Sequence, residues 1–171
     1  MVIGCYLGQR LGDLLEITTE NLKTKNGHRL LEITQIKTNK KISILIHPKV
    51  ETILKKYNGE FPPRFRESKF SNQHIFNVLI KEVARQSGIT DVVYGGKLKR
   101  ETKRKVWDNY PKWQLVSSHI MRRSFASNFY GDIPTVLLMS AIGHSTEKMF
   151  LEYINKSNIE YIEQLAIYWK P

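Results

Sequence analysis

Residues 117–130 read SSHIMRRSFASNFY. Taken as a helix with a serine cap just ahead of it, this stretch puts His119 and Arg122 on one face, because residues three apart are neighbours. A proton-transfer group beside a rigid anion fork suits chemistry on a phosphate. A basic surface helix with an incidental histidine explains the same letters, and a lone H-x-x-R is a weak motif. Arg123 falls roughly 100° further round the helix and belongs to a different surface, outside any site built on its neighbours. The rest of the chain decides between these readings.

The 171 residues suffice for one domain with a real core, and a hydrophobic content of 41% says that it folds. Lys and Arg number 27 against 16 Asp and Glu, a net charge of +11. That balance points to a polyanionic partner, most simply nucleic acid. A membrane surface is the competing partner, but the chain has no apolar run of membrane length and no strongly amphipathic basic helix. The single cysteine, Cys5, excludes an internal disulfide and a cysteine-built zinc site, and it suits a reducing cytoplasm. The start, MVIGCYLGQRLG, lacks a basic lead and is broken by Gln9 and Arg10, so it is not a signal peptide. It reads as a helix without its beginning, which suggests that Met1 is the edge of an excised domain.

In chain order, residues 2–16 carry apolar positions at helical spacing, with a turn expected near Gly8. Arg10 and Asp13 lie three apart in GQRLGDLLEI, spaced for a charge-assisted bond. RLLEITQI and ISILIH, residues 29–36 and 42–47, flank a polar turn and predict a hairpin. Lys37 is expected at the end of its first strand, with Lys40 and Lys41 across the turn. A lysine-bearing tip can touch phosphates, and nothing in the residues themselves picks Lys37 over Lys40. Pro48 opens a helix, GEFPPRF is a loop, and Ser71 is expected to start a long helix that ends at Gly88. Its apolar face is expected to hold Ile75, Val78, Leu79, Val83 and Ala84, with His74 partly buried. Between Lys97 and Lys105 lie six cations, namely Lys97, Lys99, Arg100, Lys103, Arg104 and Lys105, against Glu101. The segment is expected to be a loop or irregular hairpin, either a phosphate-neutralising arm or a solvated surface. Pro134 then starts a helix that Gly143 ends. His144 follows in the turn, Ser145 or Thr146 caps the next helix, and Tyr153 lies on it. The last segment, SNIEYIEQLAIYWK, is amphipathic. The expected fold is mainly helical with a small antiparallel β-sheet, an α+β domain spanning residues 1–171, with residues 156–171 as a C-terminal helix or tail.

Taken in order, Arg10, the hairpin lysine, His119-x-x-Arg122, His144 in Gly-His-Ser and Tyr153 nine residues on resemble the catalytic domain of the tyrosine recombinases, the phage-integrase family. GQRLGDLLEI resembles the family's first-arginine box, and IKTNKKISILIH its lysine hairpin. SSHIMRRSFASN resembles the H-x-x-R box, and IGHSTEKMFLEYI the Gly-His box with its tyrosine. The variants RRSFASN and the phenylalanine before the tyrosine are most similar to integrases of Bacteroides-type mobile elements. Any one box is weak; five in order at workable spacing make a strong signal.

The resemblance implies roles. Tyr153 is the implied nucleophile, leaving a 3′-phosphotyrosyl bond and a free 5′-hydroxyl. Arg10 and Arg122 are implied to clamp the non-bridging oxygens, and Asp13 to support Arg10. His119 is implied to assist proton transfer with the tyrosine, and His144 to hydrogen-bond the phosphate. The family's pattern selects Lys37 as acid for the leaving oxygen. No cofactor and no metal is implied, because two arginines supply the charge. Lys40, Lys41, Lys97, Lys99, Arg100, Lys103, Arg104, Lys105 and Arg123 are expected DNA contacts. The implied partner is double-stranded DNA, bound as a tetramer joined through the C-terminal helix, with a monomer in isolation. The implied setting is the bacterial cytoplasm, at the nucleoid. The family's N-terminal core-binding domain has no counterpart in these residues. Two other functions compete: a type IB topoisomerase using similar chemistry without synapsis, and a DNA-binding module without catalysis.

Overall fold

The computed structural model describes residues 1–62, 64–99, 101–154 and 157–169. Pro63, Arg100 and the tail residues 155–156 and 170–171 therefore lie outside the described residues. In chain order the elements are α1 (Val2–Leu7), α2 (Leu11–Leu14), β1 (Leu22–Lys25), β2 (His28–Thr34), β3 (Lys41–Leu45), α3 (Pro48–Lys56) and α4 (Lys69–Gln86). They continue with β4 (Val92–Leu98), β5 (Lys105–Pro111), α5 (Lys112–Leu115), α6 (His119–Phe129), α7 (Thr135–Ile142), α8 (Glu147–Ile154) and α9 (Asn158–Tyr168). The chain divides into two compact units, residues 63–120 and residues 2–62 with 121–171. Among the described residues no helix is long and apolar enough to cross a membrane.

In the larger unit, β1, β2 and β3 form an antiparallel sheet in that order, with Leu31 opposite Ile44 and Ile33 opposite Ile42. Burial alternates along β3, so Ile42 and Ile44 point to the core and Lys41, Ser43 and Leu45 to solvent. These side chains pack with Leu7, Ile17, Leu31, Ile46, Val50 and Leu54. The expected hairpin is present, but β1 (LKTK) adds an edge strand whose polar letters gave no strand signal. His47 caps α3 by accepting from the Lys49 N–H, and Pro48 occupies its first turn. A second cluster, Phe125, Ala126, Leu138, Ile142, Phe150 and Ile154, joins α6, α7 and α8.

The turn at Gly8 separates α1 from α2. Its φ of 65° lies in the left-handed region, and an added Cβ would stand 2.7 Å from both Ile142 Cγ2 and Phe125 Cδ1. Gly143 ends α7 at φ 75°, where the Gln35 amide would block a Cβ at 2.6 Å.

The smaller unit differs from expectation in three ways. First, α4 starts at Lys69, because Ser68 Oγ accepts from the Ser71 N–H and caps it. Second, its buried residues are Asn72, Ile80 and Ala84, of which Ile80 and Ala84 pack with Phe76, Ile89, Trp113 and Val116. Val78, Leu79 and Val83 are exposed instead, as is His74. Third, β4 and β5 pair as regular antiparallel strands in place of the expected loop or irregular hairpin, with Gly96 opposite Trp107 and Leu98 opposite Lys105. Lys99 donates to the Arg104 carbonyl across the tip at 3.0 Å. The cations Lys99, Lys103, Arg104 and Lys105 are exposed at that tip.

Candidate active site

Five side chains in the sequence carry polar or charged groups and are buried: Gln9, Asp13, Gln35, Asn72 and Arg122, among the described residues. All except Asn72 converge where the ends of α1, β2, α6 and α7 meet. Arg122, on the buried side of α6, is 2% exposed. Its Nη1 donates to the Gly8 carbonyl at 3.1 Å, so the Gly8 turn both carries Arg10 and anchors Arg122. Arg10 Nη1 donates to Gln35 Oε1 at 3.4 Å and stands 4.0 Å from Asp13 Oδ2. Asp13 makes its shorter bond elsewhere, accepting at Oδ1 from the Ile36 N–H at 2.9 Å. It therefore holds the lysine turn as well as facing the arginine.

Gln35 is the hub. Its Nε2 donates to Gln9 Oε1 at 2.8 Å and to the Ile142 carbonyl at 3.0 Å, and its Oε1 accepts from Thr38 Oγ1 at 2.8 Å. Gln9 Nε2 in turn donates to the Ala141 carbonyl at 2.8 Å. Two glutamines thus fasten the Arg10 turn, the lysine turn and the end of α7 together. Sequence reasoning missed both, since glutamine belongs to no chemical motif. The available signal was position: Gln9 precedes Arg10, and Gln35 closes an apolar strand.

His144 and Tyr153 complete the cluster. Their rings lie 5.2 Å apart and nearly perpendicular, and His144 also meets the Phe150 edge. Thr146 Oγ1, rather than Ser145, caps α8 by accepting from the Met149 N–H. Arg122 Nη2, His144 Nδ1, Tyr153 Oη and Asp13 Oδ2 are all buried without a hydrogen-bond partner. Unpaired buried polar atoms are rare and costly, and here they are gathered on one spot.

Electrostatics follow from that crowding. Burial first, then repulsion from Arg10, pulls the Arg122 guanidinium down to about 10, with Tyr153 and Asp13 opposing. It stays charged at neutral pH. Burial, then the cations Arg122, Arg10 and Lys40, pushes His144 down to about 4, so its imidazole is neutral. Burial raises the Tyr153 phenol above its ordinary value, while Arg122, Arg123 and Arg10 pull the other way. The phenol is therefore protonated at neutral pH.

Other expected residues fall differently. Lys37 is in the turn after β2, exposed, not at the strand's end, because β2 closes at Thr34. Lys40 is the half-buried one: its Nζ donates to Ser145 Oγ at 2.6 Å and reaches the Gly143 carbonyl at 3.5 Å. Lys41 is exposed at the start of β3. Lys97 is half-buried, donating to Gln114 Oε1 at 2.8 Å with its ammonium 5.5 Å from the Tyr110 ring centroid. His119 is exposed and opens α6, three residues before Arg122 on that helix. Arg123, expected on a separate surface, instead meets Tyr153. Its Nε donates to the Tyr153 carbonyl at 3.1 Å, and Cζ lies 5.6 Å from the ring centroid. Among the described residues no group of three His, Cys, Asp or Glu side chains is placed to hold a metal ion.

The site and its scaffold define a class: a helical domain with a small sheet that gathers arginines, a neutral histidine and a phenol from distant segments. The sequence pattern of the Phage integrase family matches residues 3–159, and the chain belongs to that family. No curated protein matches the chain. Among solved structures, the XerH recombinase bound to difH in a pre-cleavage complex is 19% identical, with a TM-score of 0.57, over 99% of this chain and 46% of that one. The XerA recombinase is 13% identical, with a TM-score of 0.63, over 99% and 57%. The Tn1549 transposon integrase (aa 82–397), in complex with circular intermediate DNA, is 14% identical, with a TM-score of 0.57, over 96% and 55%. The chain thus spans about half the length of the solved chains that it matches.

Proposed function

We propose that this chain is the catalytic domain of a site-specific DNA recombinase or integrase that breaks and rejoins DNA through Tyr153. The observation that carries the reading is the convergence of Arg10, Arg122, His144 and Tyr153, with Arg122 Nη2, His144 Nδ1 and Tyr153 Oη buried and unpaired. A phosphodiester is an anion whose oxygens suit two guanidiniums and a neutral imidazole. Tyr153 Oη attacks the phosphorus, the bond to the 5′-oxygen breaks, and the phosphate becomes a 3′-phosphotyrosine. The bond energy is conserved in that ester, and a 5′-hydroxyl reverses the step on a new partner.

Because the phenol is protonated at neutral pH, its proton must leave during attack. His119 is the proposed acceptor, one helical turn from Arg122. Lys37 is the proposed donor to the leaving oxygen, free to move on its exposed turn, while Lys40 holds the His144 turn through Ser145. Arg10 and Arg122 stabilise charge on the non-bridging oxygens, and Asp13 braces Arg10 and the lysine turn. Residues 1–171 are read as one catalytic domain with 156–171 as its tail; one family pattern running through residues 3–159 supports this. The DNA contacts proposed are Lys41, Lys99, Arg100, Lys103, Arg104 and Lys105, whereas Lys40 and Lys97, expected among them, are engaged within the fold. The letters RRSFASN favour the integrases of Bacteroides-type mobile elements and a bacterial cytoplasmic, nucleoid setting. The exposed apolar side chains of α9 favour docking on a neighbouring protomer in a DNA-bound tetramer, with a monomer off DNA.

The test uses nicked duplexes built on inverted repeats identified by sequencing on either side of the gene. Wild-type protein should form a covalent adduct resistant to detergent, and peptide mapping should put the phosphate on Tyr153. An adduct that persists unchanged in Tyr153→Phe would refute the proposal. Efficient relaxation of plasmid lacking those repeats would favour the topoisomerase reading instead.

A further inference from the structure

α6 carries adjacent arginines about 100° apart on the helix: Arg122 inward, 2% exposed, and Arg123 exposed and bonded to α8. We propose that Arg123 is a positioning residue for Tyr153, gripping the nucleophile by its main chain and its ring together. The inference rests on the reading of Tyr153 as the nucleophile.

The grip has two points. Arg123 Nε donates to the Tyr153 carbonyl at 3.1 Å, and the guanidinium lies 5.6 Å from the ring centroid. Tyr153 is the penultimate residue of α8, and the last carbonyls of a helix have no partner within it. A cation there satisfies an orphan acceptor and suits the negative end of the helix dipole. The same cation lies against the negative face of the aromatic ring. Tyr153 Oη has no partner at hydrogen-bond geometry, and the attraction that acts on it most is that of the Arg122 guanidinium. The ring is held by its walls: the apolar cluster of α6, α7 and α8, His144 at 5.2 Å and roughly perpendicular, and Arg123. Because Arg122 and Arg123 share one helix, the proposed phosphate clamp and the nucleophile's holder move as one body. Attack needs the oxygen near 3–3.5 Å from phosphorus and in line, and a misplacement of about 1 Å costs roughly 10²-fold. Arg123 is thereby already engaged by protein groups, which separates this role from a backbone-phosphate contact.

The experiment compares wild type, Arg123→Ala, Arg123→Lys and Tyr153→Phe on the nicked duplex, measuring the single-turnover rate of adduct formation. DNA affinity is measured across salt, and thermal melts monitor folding. Arg123→Ala should slow adduct formation by about 10- to 100-fold, with DNA affinity within about twofold and an unchanged salt slope. Arg123→Lys, which keeps a cation but not the guanidinium Nε–H, should fall between the two. The phenol titration should move upward in Arg123→Ala, a change that a purely structural role would not produce. Wild-type rates in both Arg123 variants would overturn the inference. So would a loss explained by affinity, with the salt slope reduced by about one unit, since that marks a phosphate contact. If Arg123→Ala melts early, the Lys variant carries the decision: a wild-type rate in it rejects the role of the guanidinium. An adduct that survives in Tyr153→Phe removes the nucleophile assignment itself, and that outcome is read independently of the Arg123 variants.

Discussion

Arg122 shows why function and stability pull apart in this protein. It is almost fully buried, makes one hydrogen bond to the Gly8 carbonyl, and leaves Nη2 unpaired beside Arg10. Replacing a poorly compensated buried ion by an apolar residue of similar length is often neutral or stabilising. Arg122→Met should therefore melt no lower than wild type while adduct formation falls by at least about 10²-fold. A melting temperature several degrees lower would show that the guanidinium is structural. His144 gives a pH signature. Its folded value of about 4 lies below its ordinary 6.5, so the unfolded chain binds the extra proton between those limits. Stability is thus fully present above about 6.5 and declines as pH falls towards 4, and His144→Gln should flatten that part of the curve of melting temperature against pH. The lysines are separated by chemistry. A substrate with sulfur in place of the leaving 5′-oxygen expels a thiolate that needs no proton. It should restore cleavage to Lys37→Ala, which loses about 10²–10⁴-fold on the oxygen substrate. It should not restore Lys40→Ala, because that side chain holds Ser145 and the His144 turn. Rescue of Lys40→Ala instead would reverse the assignment. Arg10, Asp13, Arg122, His144 and Tyr153 were legible as candidates because each lies in a short local pattern. Gln9 and Gln35 were not, since their partners Ala141 and Ile142 are 132 and 107 residues away. Arg123 was misplaced because helical angle alone does not reveal which neighbour lies on that side.

Elements were legible where period and punctuation agreed. Gly8, Pro48, Gly88 and Gly143 mark turns and helix ends that the structure has. The hairpin of β2 and β3 followed from its aliphatic strands. α4 shows the limit of that reasoning. Val78, Leu79 and Val83 look like a core stripe, yet the buried line runs through Asn72, Ile80 and Ala84. Asn72 escapes the penalty of burial because it exchanges hydrogen bonds with the Arg66 backbone. β4 and β5 were hidden by Gly95, Gly96 and the cations, which obscure alternation; the pairing itself supplies the strand order. α9 carries exposed Ile159, Ile162, Leu165, Ile167 and Tyr168, with Trp169 exposed just after it, more apolar surface than a free helix needs. Removing residues 157–171 should leave DNA binding by the single chain intact and abolish DNA-dependent assembly. Sedimentation of the protein with its duplex decides this, and unchanged assembly would mean that the helix is not the connector.

On the proposed function, net charge governs how the chain meets DNA. The excess of +11 is spread over both units, from Lys40 and Lys41 beside β3 to the exposed tip cations Lys99, Lys103, Arg104 and Lys105. Lys40 and Lys97 are the exceptions, because Ser145 occupies the first and Gln114 and the Tyr110 ring the second. Each lysine or arginine that neutralises a phosphate releases counterions, so log affinity falls linearly with log salt at about 0.9 per contact on duplex DNA. With roughly six such contacts, affinity should drop by about 10³-fold between 50 and 200 mM salt. A tip variant with Lys103, Arg104 and Lys105 all changed to Gln should flatten that slope by about 2 to 3 and weaken binding equally on any sequence. Lys97→Gln should barely change it. Fluorescence anisotropy over a salt series measures both slopes. If the tip variant keeps the wild-type slope, the hairpin cations are solvated surface and the contacts lie elsewhere. If Lys97→Gln alone flattens the slope by about one, its bonds to Gln114 and Tyr110 give way to phosphate on binding. The comparison turns on the difference between an exposed charge, available to a polyanion at no structural cost, and a charge that must first leave partners inside its own fold.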